Sequence, residues 1–269
     1  MYRSIVRAGV AAARRSSIAA LAIGVLAAPA AHAALIGDGA FAPADWSLGG
    51  YTNSGSGVSA SQVLTGGDPG SYRLVNDSVN SVGGPVTNSI VVGVSIYESA
   101  LFDPASQGAL GPLNFSIESL CPTATTSCAG NGQASGFAVR QGGVTYISNV
   151  LYNTGDANNG AGWVGHTATG LLASGFSRVN VTNTTLADAT QHPDFSAAGG
   201  QIYFGFFTAN STPGGGYQQA SGYDNFLTNV TAYVAPTGVP EPQTWLYMLT
   251  GFAGLGGALR MRRRTLAQA

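Results

Sequence analysis

The chain has 269 residues, enough for one large domain or two small ones. Charged residues make up 9%, against roughly 25% in an average soluble domain, and there are 39 Gly and no Lys. This excludes a coiled coil or a charge-laced helical protein, while 45% hydrophobic residues with low charge are the opposite of a disordered composition. The charge is also segregated. Between Ala34 and Gly238, three Arg (Arg73, Arg140 and Arg178) stand against eleven acids, a formal charge of −8. An acidic, Lys-free middle argues against nucleic-acid binding, which needs clustered cations.

The first segment reads as a secretory signal. Residues 1–17 are basic, with Arg3, Arg7, Arg14 and Arg15, and residues 18–28 form an apolar run of eleven. Pro29 breaks the run, and Ala31-His32-Ala33 offers the small residues that a signal peptidase accepts at −3 and −1. Cleavage after Ala33 removes residues 1–33. As a signal helix the run rises about 16 Å, against about 30 Å of bilayer hydrocarbon, too short to span.

Residues 34–236 are the expected exported domain, long enough for one core. Strand patterns are expected over 58–64, 88–97, 113–120, 163–169, 201–209 and 225–234, with turn residues between them. Residues 136–140 and 144–148 flank Gln141-Gly142-Gly143 and read as a hairpin. Alternation puts Leu113, Phe115 and Ile117 on one face, Ile202, Phe204 and Phe206 on one face with Tyr203 and Phe207 opposite, and Phe226, Val230 and Val234 together. No amphipathic helix interrupts the domain. About ten strands with polar loops predict an all-β fold, a single antiparallel β-sandwich of jelly-roll type. Cys121 and Cys128, the only cysteines, are expected to pair as a loop staple in an oxidising compartment.

The catalytic inventory is thin. After signal removal only His166 and His192 remain, and no Gly-x-Ser-x-Gly, His-Glu-x-x-His or phosphate-binding loop motif occurs. The domain's two Glu, Glu98 and Glu118, are twenty residues apart and would have to flank one glycosidic bond to act as a hydrolase pair. The expectation is a non-enzyme. Trp46, Trp163, Tyr217 and Tyr223 are the candidate aromatics for stacking on sugar rings, with core filling as the alternative for the Trp pair. Asp38 and Asp224 are candidates for a structural calcium, with turn capping as the alternative. No other cofactor is expected.

The end of the chain reads Pro240-Glu241-Pro242 and Trp245, then an uncharged run over 245–259, then Arg260, Arg262, Arg263 and Arg264. Fifteen residues rise about 22 Å as a helix, slightly short of a bilayer but adjustable by tilt and thinning. Arg residues after the run would remain cytoplasmic. The domain would then sit outside the inner membrane.

These tail residues resemble the PEP-CTERM sorting signal in its PEPxxWA variant of Gram-negative bacteria, with Leu246 where Ala is usual. The resemblance implies a transmembrane sorting helix, recognition over 237–269 by an exosortase-like enzyme, release near Pro240-Glu241-Pro242, and delivery to the outer surface or extracellular matrix. Leu35-Ile36-Gly37-Asp38-Gly39-Ala40-Phe41 with Asp45-Trp46 resembles the opening of carbohydrate-binding β-sandwich modules. Gly222-Tyr223-Asp224-Asn225-Phe226 resembles the closing strand of laminin-G-like or lectin-like sandwiches. Together they imply a surface or matrix protein whose partner is an extracellular polysaccharide. A structural matrix component without a ligand, and a polysaccharide-acting hydrolase, are the alternatives.

Overall fold

The computed structural model describes residues 33–122, 133–152 and 162–232, and position 250. The described residues form thirteen strands: β1 (Ala33–Asp38), β2 (Trp46–Thr52), β3 (Gly57–Gly67), β4 (Gly70–Val79), β5 (Ser89–Phe102), β6 (Leu113–Leu120), β7 (Ala134–Gln141), β8 (Val144–Tyr152), β9 (Val164–Leu171), β10 (Phe176–Val179), β11 (Ala187–Asp188), β12 (Ile202–Thr212) and β13 (Tyr217–Thr231). A single helical turn, α1 (Pro104–Gln107), is capped by the Asp103 carboxylate, which accepts from the Ala105 N–H. Every strand pairing is antiparallel.

Two sheets form the expected sandwich. One runs β3-β4-β13-β6-β9, with β1 also on β13, and the other runs β11-β10-β8-β7-β12-β5-β2. The expected hairpin is present: Gly142 and Gly143 both have positive φ, 58° and 79°, the backbone that a tight two-residue connection between twisted strands requires. In the first sheet, β4 and β6 alternate between inward and outward residues. Leu113, Phe115 and Ile117 point inward from β6, and Tyr223, Phe226 and Val230 from β13. Phe204 and Phe206 of β12 meet them from the second sheet, and Phe206 packs on Trp46, Tyr223 and Phe226 with centroids 5.6, 4.5 and 6.3 Å away.

The middle of the second sheet is buried on both faces. Ile90, Val92, Val94, Ile96, Phe207, Ala209, Ala138 and Ile147 form a second apolar cluster on its outer side, against which Val181, Leu186 and Ala187 pack. Asn53 ties that covering segment down, donating to the Thr182 carbonyl and the Asn183 side chain. This explains the unbroken apolar run of β5: a strand covered on both sides has no polar face to alternate with.

β4 escaped the sequence reading because its inward positions are Arg73, Val75, Asp77 and Val79. Arg73 is 4% exposed. Its Nε donates to Ser95 Oγ at 2.9 Å, and its guanidinium lies 5.5 Å from the Trp46 ring centre. Asp77 is 2% exposed. Its Oδ2 accepts from Asn210 Nδ2 at 2.6 Å, while Oδ1 has no partner. Its register partner Gln219 also has an unpartnered buried oxygen.

Burial lifts the Asp77 carboxyl to about 6 from its usual 3.8, against downward pulls from Thr208 and Asn210. The folded state therefore holds this proton more tightly than the unfolded state. The stabilisation is complete below the unfolded value and is lost as pH rises through about 6, a contribution of about 3 kcal/mol. Asp77→Asn should remove this part of the pH dependence and make the variant more stable than the parent at neutral pH, because it has no charge to bury and puts a donor in place of the unpartnered Oδ1, beside the unpartnered Gln219 oxygen. Urea denaturation of both proteins across mildly acidic to neutral pH checks it, and parallel pH profiles would contradict it.

Candidate functional site

The open surface of the sandwich is the outer face of the first sheet. Register places Ser59, Ser61 and Val63 of β3, Tyr72, Leu74, Asn76 and Ser78 of β4, Gln218, Ala220 and Gly222 of β13, and Ser116, Glu118 and Leu120 of β6 on this side. At its middle, Tyr72 and Trp163 meet edge to face with centroids 5.3 Å apart. Both are half-buried. The Trp163 indole N–H donates to the Gly66 carbonyl at 3.1 Å, which fixes the ring against the β3–β4 turn. Burial also raises the Tyr72 hydroxyl above its ordinary pKa.

Gly222 is the seat of this pair. A Cβ there would lie 3.0 Å from Tyr72 Cε2 and 3.3 Å from Trp163 Cη2, so a side chain at this position would displace the rings, and glycine lets both lie close on the sheet. An open depression of about 410 Å³ lies along β3, β4 and β13, lined by Ser59, Asn76, Ser78 and Gln218 among others. A second, about 400 Å³, lies over β6 and β9 beyond the pair, lined by Ser116, Glu118, Thr167, Asn225 and Leu227 among others. Hydroxyls and amides thus flank an aromatic pair on both sides. Such a surface offers apolar ring contact and hydrogen bonding together.

Asn225 interrupts β13 with a positive φ of 51°, a left-handed conformation that Asn adopts more readily than most residues. Its Nδ2 donates to the Asp68 carbonyl at 2.5 Å and to Glu118 Oε2 at 2.9 Å. This ties the β3–β4 turn to β6.

The sequence-predicted site residues fall in different places. Trp163 is on the open face. Trp46 is 6% exposed and Tyr223 0% exposed, both in the aromatic core, and Trp46 also lines the floor of a further open depression of about 500 Å³ with Pro43, Gln62 and Arg73 among others. Inward parity and packing on Phe206 decide the burial of both. Tyr217 turns its hydroxyl onto Asn210 Oδ1 and the Ser211 carbonyl. Tyr72 was not anticipated: its strand was not read, because an Arg and an Asp occupy alternate positions that a half-buried strand normally fills with apolar side chains. The signal that could have found it is Gly222 in the last strand, a gap that needs a covering ring.

Asp38 and Asp224 both serve the backbone. Asp38 accepts from the Ala40 and Phe41 N–H groups and, at 2.7 Å, from the Trp46 indole N–H. This is the turn-capping alternative extended to the core tryptophan. Asp224 accepts from the Asp68 N–H at 2.5 Å and the Asn225 N–H at 2.7 Å, with burial as the main cause of its raised pKa. Among the described residues no group of three or more His, Cys, Asp or Glu is placed to hold a metal.

Glu98 lies on the second sheet and Glu118 on the first. Glu98 accepts a two-pronged contact from Arg140, at 2.6 and 2.5 Å, and a bond from Ser47. The Arg140 hydrogen bonds hold its carboxyl below the usual range. His166 stacks on Tyr152 at 4.0 Å and shares a 2.7 Å hydrogen bond with Ser119, and burial lowers its pKa.

Cys121 is buried at the end of β6, and Cys128 lies outside the described residues. Ala31 and the rest of the signal before Ala33 lie outside them as well, while Ala33 opens β1 opposite Thr231. Pro240, Glu241, Pro242, Trp245, Arg260, Arg262, Arg263 and Arg264 also lie outside. Among the described residues no helix is long and apolar enough to cross a membrane, and the expected span over 245–259 falls beyond them apart from position 250.

No protein-family model matches the chain, and no curated protein matches it. Among solved structures it is similar to the family 11 carbohydrate-binding module from Clostridium thermocellum in complex with a β-1,3-1,4-mixed-linked tetrasaccharide, at 13% identity over 76% of this chain and 98% of that one, with a TM-score of 0.39. The family 11 module of the cellulosomal cellulase Lic26A-Cel5E of Clostridium thermocellum gives 11% identity over 77% and 98%, with a TM-score of 0.39. The solution structure of CtCBM11 gives 11% over 77% and 99%, with a TM-score of 0.41. At these values the reading of the site rests on its own residues.

Gly222→Val should push Tyr72 and Trp163 off the sheet at a cost of roughly 1–3 kcal/mol from overpacking. Tryptophan emission should become more accessible to iodide, with no such change in a Trp163→Phe background. Unchanged quenching would show that the pair does not depend on the gap at Gly222.

Proposed function

We propose that this chain is an exported, non-enzymatic glycan-binding protein whose ligand lies along the outer face of the six-stranded sheet. The observation that carries the reading is the half-buried Tyr72–Trp163 pair over Gly222, set between two open depressions with hydroxyl and amide linings. A pyranose presents an apolar face ringed by hydroxyls, and this surface has the matching parts: rings for the first and hydrogen-bonding side chains for the second. The depressions are strung along β13 from Gln218 to Leu227, a distance of about 30 Å in an extended strand. That length suits a polymer segment better than a single sugar.

The traffic reading accompanies it. Residues 1–33 act as a cleaved signal, 34–236 as the exported domain, and 237–269 as a sorting signal handled by an exosortase-like enzyme after transient insertion in the inner membrane. Its support is the order of basic, apolar and small residues at one end, and of Pro-Glu-Pro, apolar run and Arg cluster at the other. In the exported compartment Cys121 and Cys128 pair, and the closed loop contributes about 2.5 kcal/mol by the chain-entropy estimate.

A glycan array probed with residues 34–236, with and without calcium, should show binding to extended polysaccharides. Trp163→Ala and Tyr72→Ala should each weaken binding about tenfold or more, the order of one lost stacking contact, while Trp46→Ala should instead destabilise the fold. Absence of any glycan ligand would leave the ligand-free matrix component as the better reading. Mass spectrometry of the surface fraction should find protein that begins at Ala34, lacks Arg260–Ala269 and carries a linked Cys121–Cys128 peptide. Mature protein with the Arg tail still attached would overturn the sorting assignment.

A further inference from the structure

We propose that this face selects glycans by charge, favouring amine-bearing polymers over neutral ones and rejecting polyanionic ones, with Glu118 as the side chain that sets the preference. The inference rests on the glycan-binding reading above and adds the ligand class to it. It starts from where the cations are. The chain has no Lys, and only Arg73, Arg140 and Arg178 lie between Ala34 and Gly238. Arg73 is enclosed between the sheets, on Ser95 and beside Trp46. Arg140 is held by Glu98 on the second sheet, over the Tyr203 ring. Arg178 lies on β10 of that same sheet and donates to Gln191 Oε1 at 2.9 Å. None of the three reaches the outer face of the first sheet.

The acids on that face are therefore uncompensated. Glu118 lines the second depression. Its Oε2 accepts from Asn225, and among the described residues its Oε1 has no hydrogen-bond partner. Asp224, opposite Glu118 in register, is 0% exposed with both oxygens engaged. It adds negative potential without offering a contact. Asp68 stands exposed in the adjoining turn. A uronate or sulfate polymer laid across this face would meet carboxylates with no cation to pair with, and like charges in close contact are repulsive by an amount that grows as water is displaced. A protonated 2-amino group beside Glu118 would instead supply Oε1 with a charge-assisted hydrogen bond, roughly twice as strong as a neutral one.

Isothermal titration of the full chain with three oligosaccharides of equal length tests this: a glucosamine oligomer, its fully N-acetylated counterpart, and an oligouronate. At mildly acidic pH and low salt the amine form should bind about tenfold tighter than the acetylated form, the gap should narrow in high salt, and the oligouronate should not bind. Glu118→Gln keeps an oxygen for Asn225, and its melting temperature checks that the fold survives. In this variant the ratio of the first two affinities should fall to within about twofold. Equal affinities in the parent, a tenfold ratio that survives Glu118→Gln, or binding of the oligouronate would each overturn charge selection while leaving glycan binding in place. Binding of none of the three, with an empty glycan array, would overturn both.

Discussion

In β13, successive side chains leave opposite faces of the sheet, and both the core and the open surface depend on how that alternation is kept and where it is broken. Tyr223 points inward onto Phe206, and its neighbour Gly222 points outward beneath Tyr72 and Trp163. Without interruption Phe226 would share the outward side with Asp224. The irregularity between Asp224 and Leu227, where β13 uses one residue more than β6, resets the phase. Phe226 then joins Tyr223 in the core, and Asn225, in its left-handed conformation, is free to bind Asp68 and Glu118 on the outside. One extra residue thus completes the aromatic core and braces the edge of the surface depression.

The same strand carries the main departure from an apolar interior. Opposite Gln219 and Tyr223, β4 sends Asp77 and Arg73 between the sheets. Arg73 is stabilised by Ser95 and the Trp46 ring, and burial brings its pKa down to about 10. Asp77 keeps one oxygen unpartnered. Buried polar groups of this kind cost free energy unless paired. Asp77 lies at the first depression and Arg73 at the depression beside Trp46, both on the strand whose outward residues are Tyr72, Asn76 and Ser78. A strand that builds the surface therefore carries buried polar groups in its interior, and the protonation of Asp77 couples fold stability to pH.

The two sheets divide the work by how they are covered. The segment around Val181, Leu186 and Ala187 packs on the second sheet's outer face, where Ile90, Val92, Val94, Ile96 and Phe207 are buried. The first sheet has Ser, Asn, Gln and small residues outside and remains open along β3, β4 and β13. Sequestration of every domain Arg inside the sandwich or on the second sheet leaves this open face with carboxylates alone, so its composition and its charge come from one arrangement.

Much of the fold was legible in the sequence. Period-two alternation in 113–120, 202–206 and 226–230, and Gly142-Gly143 between two short runs, depend only on local pleat and turn sterics, and the structure keeps all of them. The sandwich follows, because half-apolar strands must bury one face against another sheet. β4 was not legible, because its inward Arg and Asp are tolerated only through partners on β5 and β12, more than a dozen residues away. The roles of the aromatics were not legible either. Trp46, Trp163, Tyr217 and Tyr223 look alike in sequence, and exposure separates them. Trp46 is enclosed by Phe206 and Phe226, and Tyr223 by Phe206, all from other strands, while Trp163 lies on Tyr72 because Gly222, remote from both in the chain, leaves room. Local sequence determines which side of its own strand a residue takes. Whether that side meets another sheet or water is decided by strand order, which is a property of the folded chain as a whole.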